Sequence, residues 1–277
     1  MSTISQSACI TRHNAGWVLS MAVLAAALIL LAPHRSTVDT AGLVSLIVAD
    51  EVDAVSFVDK GMASEQAAPA VESRQQTAQL FGMDSEPVYA GSVVDKWTHT
   101  KAEIDRELNS VALCLVNDIC SPAARKLIDL SASGADRTGR ARIGLINRAV
   151  DLAISPASDE AQWGVADHWN APFETLQSNR GDCEDYAILK YLALRAAGFS
   201  EDDLKIVILK NVFPDEDHAA VAARVDGEWL ILDNRTLTLV RDTDLTHAIP
   251  RFVLDQQGAR RFIWASRKPR SAAVSGT

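Results

Sequence analysis

An α+β fold is predicted for the 277-residue chain by three observations. Two stretches in its middle carry apolar residues three or four apart, as helices do. A third run of good helix formers ends at a glycine, Gly198, and beyond it the period changes to short runs rich in branched residues with a hairpin signal between two of them. Helices first and a strand meander second is the α+β pattern, here a helical N-terminal part packed on an antiparallel sheet. With 48% apolar and 23% charged residues, the composition suits one sizeable globular domain and some flanking chain.

The elements follow in order. Arg12 and His13 precede AGWVLSMAVLAAALILLA, an uncharged run of 18 residues from Ala15 to Ala32. Its length lies between a signal-peptide core and a membrane span, so residues 1–35 are expected to be a signal peptide or a retained N-terminal membrane anchor. Either way the remainder is expected in the periplasm. Cys9 precedes the run, where a lipoprotein cysteine would follow it. Residues 36–92 hold no sustained period and are expected to form a low-order spacer. The domain is expected over 93–266, with 267–277 as a disordered tail.

Within that domain Val94, Trp97, Ile104, Leu108, Val111 and Leu115 mark one amphipathic helix, and Ile143, Ile146, Val150 and Ile154 a second. SPASDEAQWGVADHWNAPFETL then reads as a loop of turn formers and aromatics. CEDYAILKYLALRAAGF is the third helix, with Cys183 in its first turn and Asp182 placed as its N-cap. LKIVILKN, HAAVAARV and EWLILDN are strands, the last two joined at Asp226 and Gly227.

Charge excludes one class of partner. Lys and Arg number 27 against 36 Asp and Glu, a net −9, and no basic stretch is interleaved with aromatics, so nucleic acid is not expected. There is no P-loop, GxGxxG or HExxH. Cys114 and Cys120, with five residues between them, read as a local disulfide allowed by an oxidising compartment, as two reduced core cysteines or, weakest of the three, as a metal pair.

The chemistry-bearing residues lie on the third helix and the hairpin. If Val225 faces Glu228 across the turn, Asp233 falls opposite Ala220, and His218, two positions from Ala220, shares its face. His218 and Asp233 are then diagonal neighbours roughly 7–8 Å apart at the backbone, within side-chain reach. A helix-opening Cys183 facing a His held by an Asp is a thiol nucleophile, its base and the base's orienter.

GDCEDYAILKYLALRAAGF, DHAAVAARVDGEWLILDNR and WGVADHWNAPFETL resemble the bacterial transglutaminase-like cysteine peptidases, the group that includes the periplasmic adhesin-cleaving LapG proteases. The resemblance spans roughly residues 93–266. It implies a papain-like or transglutaminase-like fold and a catalytic order Cys183, His218, Asp233. It also implies a protein substrate in the periplasm or at the cell surface, with an inner-membrane receptor as a regulatory partner. Gln177 is a candidate second oxyanion donor by analogy with papain-like proteases. The same thioester could serve a transglutaminase or amidase, and a non-catalytic binding domain of the same fold is the alternative outside enzymes.

Three acids crowd the nucleophile. Carboxylates raise a nearby thiol's pKa, and a bound cation would relieve that. Asp182, Glu184 and Asp185 are hard oxygen ligands of the sort calcium takes. In adhesin-cleaving members the acids flanking the cysteine are calcium ligands, which carries over to Asp182 and Glu184. Without a cation, Asp182 is a cap, Glu184 and Asp185 are favourable first-turn acids, and Asp185 could serve as an internal ion-pair partner.

Overall fold

The computed structural model describes residues 79–213 and 215–264. The expected signal or anchor, most of the expected spacer and the C-terminal tail lie outside those residues. Among the described residues no helix is long and apolar enough to cross a membrane.

Helix α1 (Ser92–Asn117) buries Val93, Trp97, Thr100, Ile104, Glu107, Val111 and Cys114. The stripe is thus rotated from the one expected on apolar residues alone, and it takes in two polar side chains. Asp118, at φ 55°, ends α1, and a Cys114–Cys120 disulfide closes the turn beyond it. Next comes α2 (Pro122–Ser131), where Ser121 caps the Ala124 N–H at 3.0 Å and Pro122 occupies the first turn. Helix α3 (Gly139–Ala153) buries Ile143, Ile146, Asn147 and Val150. Two short helices, α4 (Asp159–Trp163) and α5 (Pro172–Ser178), interrupt the stretch expected to be loop.

The third expected helix is α6 (Cys183–Ala196), in which every residue but Arg195 is buried. A helix enclosed on all sides has no polar face to generate a clean stripe. Its Tyr191 ring meets Trp97 edge-on at 6.0 Å, and the Trp97 indole N–H donates to the Asp255 carbonyl at 2.8 Å.

The sheet is formed by β1 (Ser85–Pro87), β4 (Leu204–Asn211), β5 (Asp217–Val225), β6 (Glu228–Leu232), β7 (Val240–Arg241), β8 (Ala248–Asp255) and β9 (Gly258–Phe262), and the short β2 (Ser155–Pro156) and β3 (Arg180–Gly181) pair separately. Its order is β1-β9-β8-β4-β5-β6-β7, antiparallel throughout. One face, including Ile206, Val221 and Leu232, shares a core with the helices. The other, including Val207, Ala222 and Ile231, is covered by a smaller core with Leu80. Burial on both faces makes β4 and β5 nearly continuous apolar runs. The hairpin register is the expected one, Val225 opposite Glu228, with Asp226 and Gly227 at φ 52° and 81° as a type I′ turn needs.

Three parts of the sheet lie beyond the strands expected: β1, β7 and the β8–β9 hairpin. Residues 85–87, ahead of the expected boundary at 93, form edge strand β1 on β9. The β8–β9 hairpin contains Pro250 where the β4–β8 register shifts between Ile208 and Leu209, a bulge that accommodates a proline in an inner strand.

Candidate active site

The approach to Cys183 is fixed by a glycine and a carboxylate. A Cβ on Gly181 would lie 2.6 Å from Asp185 Cβ, so only glycine lets Asp185 fold back over the helix start. Asp185 Oδ2 accepts from the Asp182 N–H at 3.3 Å, closing a capping box. The same oxygen accepts from Asn170 Nδ2 at 2.8 Å, and Oδ1 accepts from the Asn170 N–H at 2.9 Å. Asp185 therefore staples the 167–171 loop to α6, and burial pushes its carboxyl well above the usual range. Parallel pairing of Ser155 with Arg180 ties the end of α3 to the same approach.

Cys183 opens α6 and is 2% exposed. Its backbone N–H belongs to the first turn, where donors have no partner within the helix. Its sulfur accepts from the Ala219 N–H at 3.3 Å and lies 3.2 Å from Glu184 Oε2. In this structure Cys183 is disulfide-bonded.

The structure brings His218 and Asp233 together. His218 Nε2 lies 3.0 Å from Asp233 Oδ1, an ion-pair distance, although the two are not in hydrogen-bonding alignment. Among the described residues, His218 Nδ1 has no hydrogen-bond partner. Burial lowers the His218 pKa, while Asp233 opposes the shift. Burial would raise Asp233, but its contacts with His218 and then Arg235 carry it well below the usual carboxylate range. The Arg235 N–H donates to Asp233 Oδ1 at 2.9 Å, and Arg235 Nη2 donates to Oδ2 at 2.6 Å. Cys183 thus sits against Ala219, the neighbour of His218, and the expected three residues occupy one end of α6 and the hairpin.

The expected metal acids divide. Asp182 and Glu184 join Asp159, which the sequence reading had not singled out, in a group whose ligand oxygens lie within 4.8 Å of one another. Asp185 stands apart, its oxygens occupied by Asn170 and the cap. Asp159 is 2% exposed and Glu184 8%. Among the described residues, Asp159 Oδ1 and Asp182 Oδ1 are buried without a hydrogen-bond partner. Burial raises all three carboxyls, Asp182 to about 6 and Glu184 well above its usual value, and mutual repulsion adds to the Glu184 shift. Lys96 contributes the nearby positive charge, but its ammonium is paired with Asp167 and lies 5.4 Å from the Trp169 ring centroid. Orphaned buried acceptors on a hard-oxygen donor set fit a calcium-type cation.

Other side chains play lesser parts. Lys190, two turns along α6 from Cys183, forms a buried 2.7 Å ion pair with Asp151 of α3. His168 lies 3.6 Å from Glu174 at the rim, Trp229 is buried in the second core, and Gln177 is exposed on α5. Asp159 and Arg235 carried little sequence signal. Asp159 follows an ordinary N-cap, Ser158, and the only hint of Arg235 was the Asp-x-x turn that ends β6.

Comparison with known proteins identifies a family. Residues 116–270, more than half of the chain, match the family described as bacterial transglutaminase-like cysteine proteinase BTLCP. No curated protein matches the chain. Legionella pneumophila LapG in an EGTA-treated form is 20% identical, with 59% of this chain and 87% of that one covered and a TM-score of 0.44. Its calcium-bound form is 20% identical over 75% of this chain and 94% of that one, at 0.38. A putative cysteine protease from Cytophaga hutchinsonii is 18% identical over 51% and 52%, at 0.34. None of these scores reaches 0.5, and the assignment rests on the family match: the chain belongs to the bacterial transglutaminase-like cysteine proteinases.

Proposed function

We propose that the protein is an exported thiol endopeptidase that cleaves a periplasmic or cell-surface protein, of the adhesin type, through Cys183, His218 and Asp233, with calcium at the neighbouring acids. The observation that carries the reading is the His218–Asp233 pair at 3.0 Å beside the seat of the Cys183 sulfur at a helix start, in a chain of the cysteine proteinase family. With Nε2 turned to Asp233, Nδ1 is left for the thiol.

In the proposed reaction His218 takes the thiol proton and Sγ attacks the amide carbonyl carbon. The developing oxyanion lies at the positive end of α6, with the Cys183 N–H as the proposed donor. Collapse breaks the C–N bond as the imidazolium returns its proton to the leaving amine. Water then attacks the thioester, His218 accepts its proton, and C–S cleavage restores the thiol. Asp233 holds the imidazole tautomer and stabilises its charged form. Asp159, Asp182 and Glu184 would hold the calcium, whose positive charge offsets the acids that otherwise oppose thiol ionisation.

The test compares surface and periplasmic proteomes of cells carrying wild type or Cys183→Ala. New protein termini that depend on Cys183 are expected. Their absence overturns the protease reading, and incorporation of a labelled primary amine into cell-surface protein instead would assign the thioester to acyl transfer.

A further inference from the structure

We propose that Arg235 is a positioning residue of this site, acting through Asp233. The inference rests on the Cys183, His218, Asp233 reading and adds a fourth side chain to it. An orienting carboxylate must stay ionised and must keep one oxygen aimed at the imidazole. Asp233 is 6% exposed, and a buried side chain ending β6 could turn about its own axis. Arg235 prevents that from two directions. Its backbone N–H and Nε reach Oδ1 at 2.9 and 3.1 Å, and Nη2 and Nε reach Oδ2 at 2.6 and 3.2 Å. The backbone bond makes an Asx turn out of residues 233–235, so the loop that ends β6 also delivers the guanidinium. A planar fork against both oxygens fixes the carboxylate plane, which a point charge such as an ammonium would leave free. A cavity of about 270 Å³, lined by Ile231, Asp233, Arg235 and His247 among others, adjoins the fork, leaving room for a shorter side chain at 235.

The experiment measures alkylation of Cys183 by iodoacetamide against pH on the reduced, calcium-saturated full chain, followed on the Cys183 peptide by mass spectrometry. This reads the thiolate–imidazolium pair without a known substrate. Alkylation at pH 6 is expected to fall about tenfold in Arg235→Gln and equally in Arg235→Lys, which keeps the charge but not the fork. Asp233→Asn should produce a similar fall, and the double variant Asp233→Asn with Arg235→Gln should be no slower than Asp233→Asn alone, since both changes act on one carboxylate. An unchanged rate in Arg235→Gln, full activity in Arg235→Lys, or additive losses in the double variant would each overturn the inference. His218→Ala separates the two levels. If it abolishes the low-pH reactivity while Arg235→Gln does not, only the role of Arg235 fails; if His218→Ala leaves that reactivity intact, the triad itself fails and Arg235 with it.

Discussion

Two buried carboxylate groups flank the Cys183 end of α6, and they differ in where their counter-charge comes from. Asp233 faces an imidazole and a forked guanidinium, whereas Asp159, Asp182 and Glu184 face one another and a lysine already paired with Asp167. Desolvation acts on both groups in the same direction. The carboxyl pKa values nonetheless move apart, Asp233 down and Asp182 up to about 6. A carboxylate that has to stay ionised carries its cations in the chain. At the other three, desolvation is the largest cause and carries each carboxyl up.

The largest expected effect breaks the compensated side. Asp233→Asn keeps size but turns one of two acceptor oxygens into a donor facing Arg235 and removes the charge that stabilises the imidazolium, a change that costs about 10⁴ in a serine triad. Cleavage of the protein identified through Cys183-dependent termini should slow by at least about 100-fold at a temperature where circular dichroism reports the variant as folded. Wild-type turnover in this variant would mean that compensation at Asp233 serves folding alone.

A smaller effect tests the group of Asp159, Asp182 and Glu184. Calcium at about 100 times its Kd stabilises the folded state by about 2.7 kcal/mol, or roughly 5–10 °C in Tm for a domain of this size. The sign with pH follows from the raised carboxyls. Their favourable contribution is complete below the ordinary carboxylate value, near 3.8 for aspartate, and is lost as pH rises through about 6 for Asp182. Metal-free protein should therefore gain more Tm from calcium at pH 8 than at pH 5. Asp159→Asn should remove most of the gain and Asp233→Asn none of it. Chelator-insensitive turnover and an equal Tm shift at both pH values would dissolve the contrast between the groups.

The same contrast explains how much was legible beforehand. His218 and Asp233 could be placed together because hairpin register is set by one turn, and Asp226-Gly227 specifies that turn locally. Cys183 at a helix start followed from Asp182 and the helix formers after it. The acid group needed tertiary information: Asp159 lies 23 residues before Asp182 and is brought there by α4 and the loop that Asp185 staples. Asp185, adjacent in sequence to Glu184, turns instead toward Asn170, because neighbouring helix positions point about 100° apart. In the fold, α2 went unread despite its Ser-Pro start, as did β1 and β8–β9. A three-residue edge strand has no period, and Pro250 disguises an inner strand whose bulge accommodates it.

Glu107 supplies the intermediate case and the smallest effect. It is a buried acid on α1 compensated by a dipole and by no contacting cation: both oxygens accept from the Phe173 N–H, at 3.1 and 3.0 Å, anchoring the start of α5. Burial raises its pKa from 4.5 to about 7, with the Phe173 bond opposing. Its contribution to stability is thus complete below 4.5 and is lost as pH rises through about 7. Glu107→Gln retains an acceptor for Phe173 and cannot ionise, so it should match wild type at pH 5 and exceed it at pH 8 by on the order of 1 kcal/mol. Thermal melts in saturating calcium isolate this effect from the Asp159 group. A variant less stable at both pH values would mean that one backbone donor compensates a buried charge as well as the Arg235 fork does, and the distinction between cation and dipole would no longer account for the direction of these shifts.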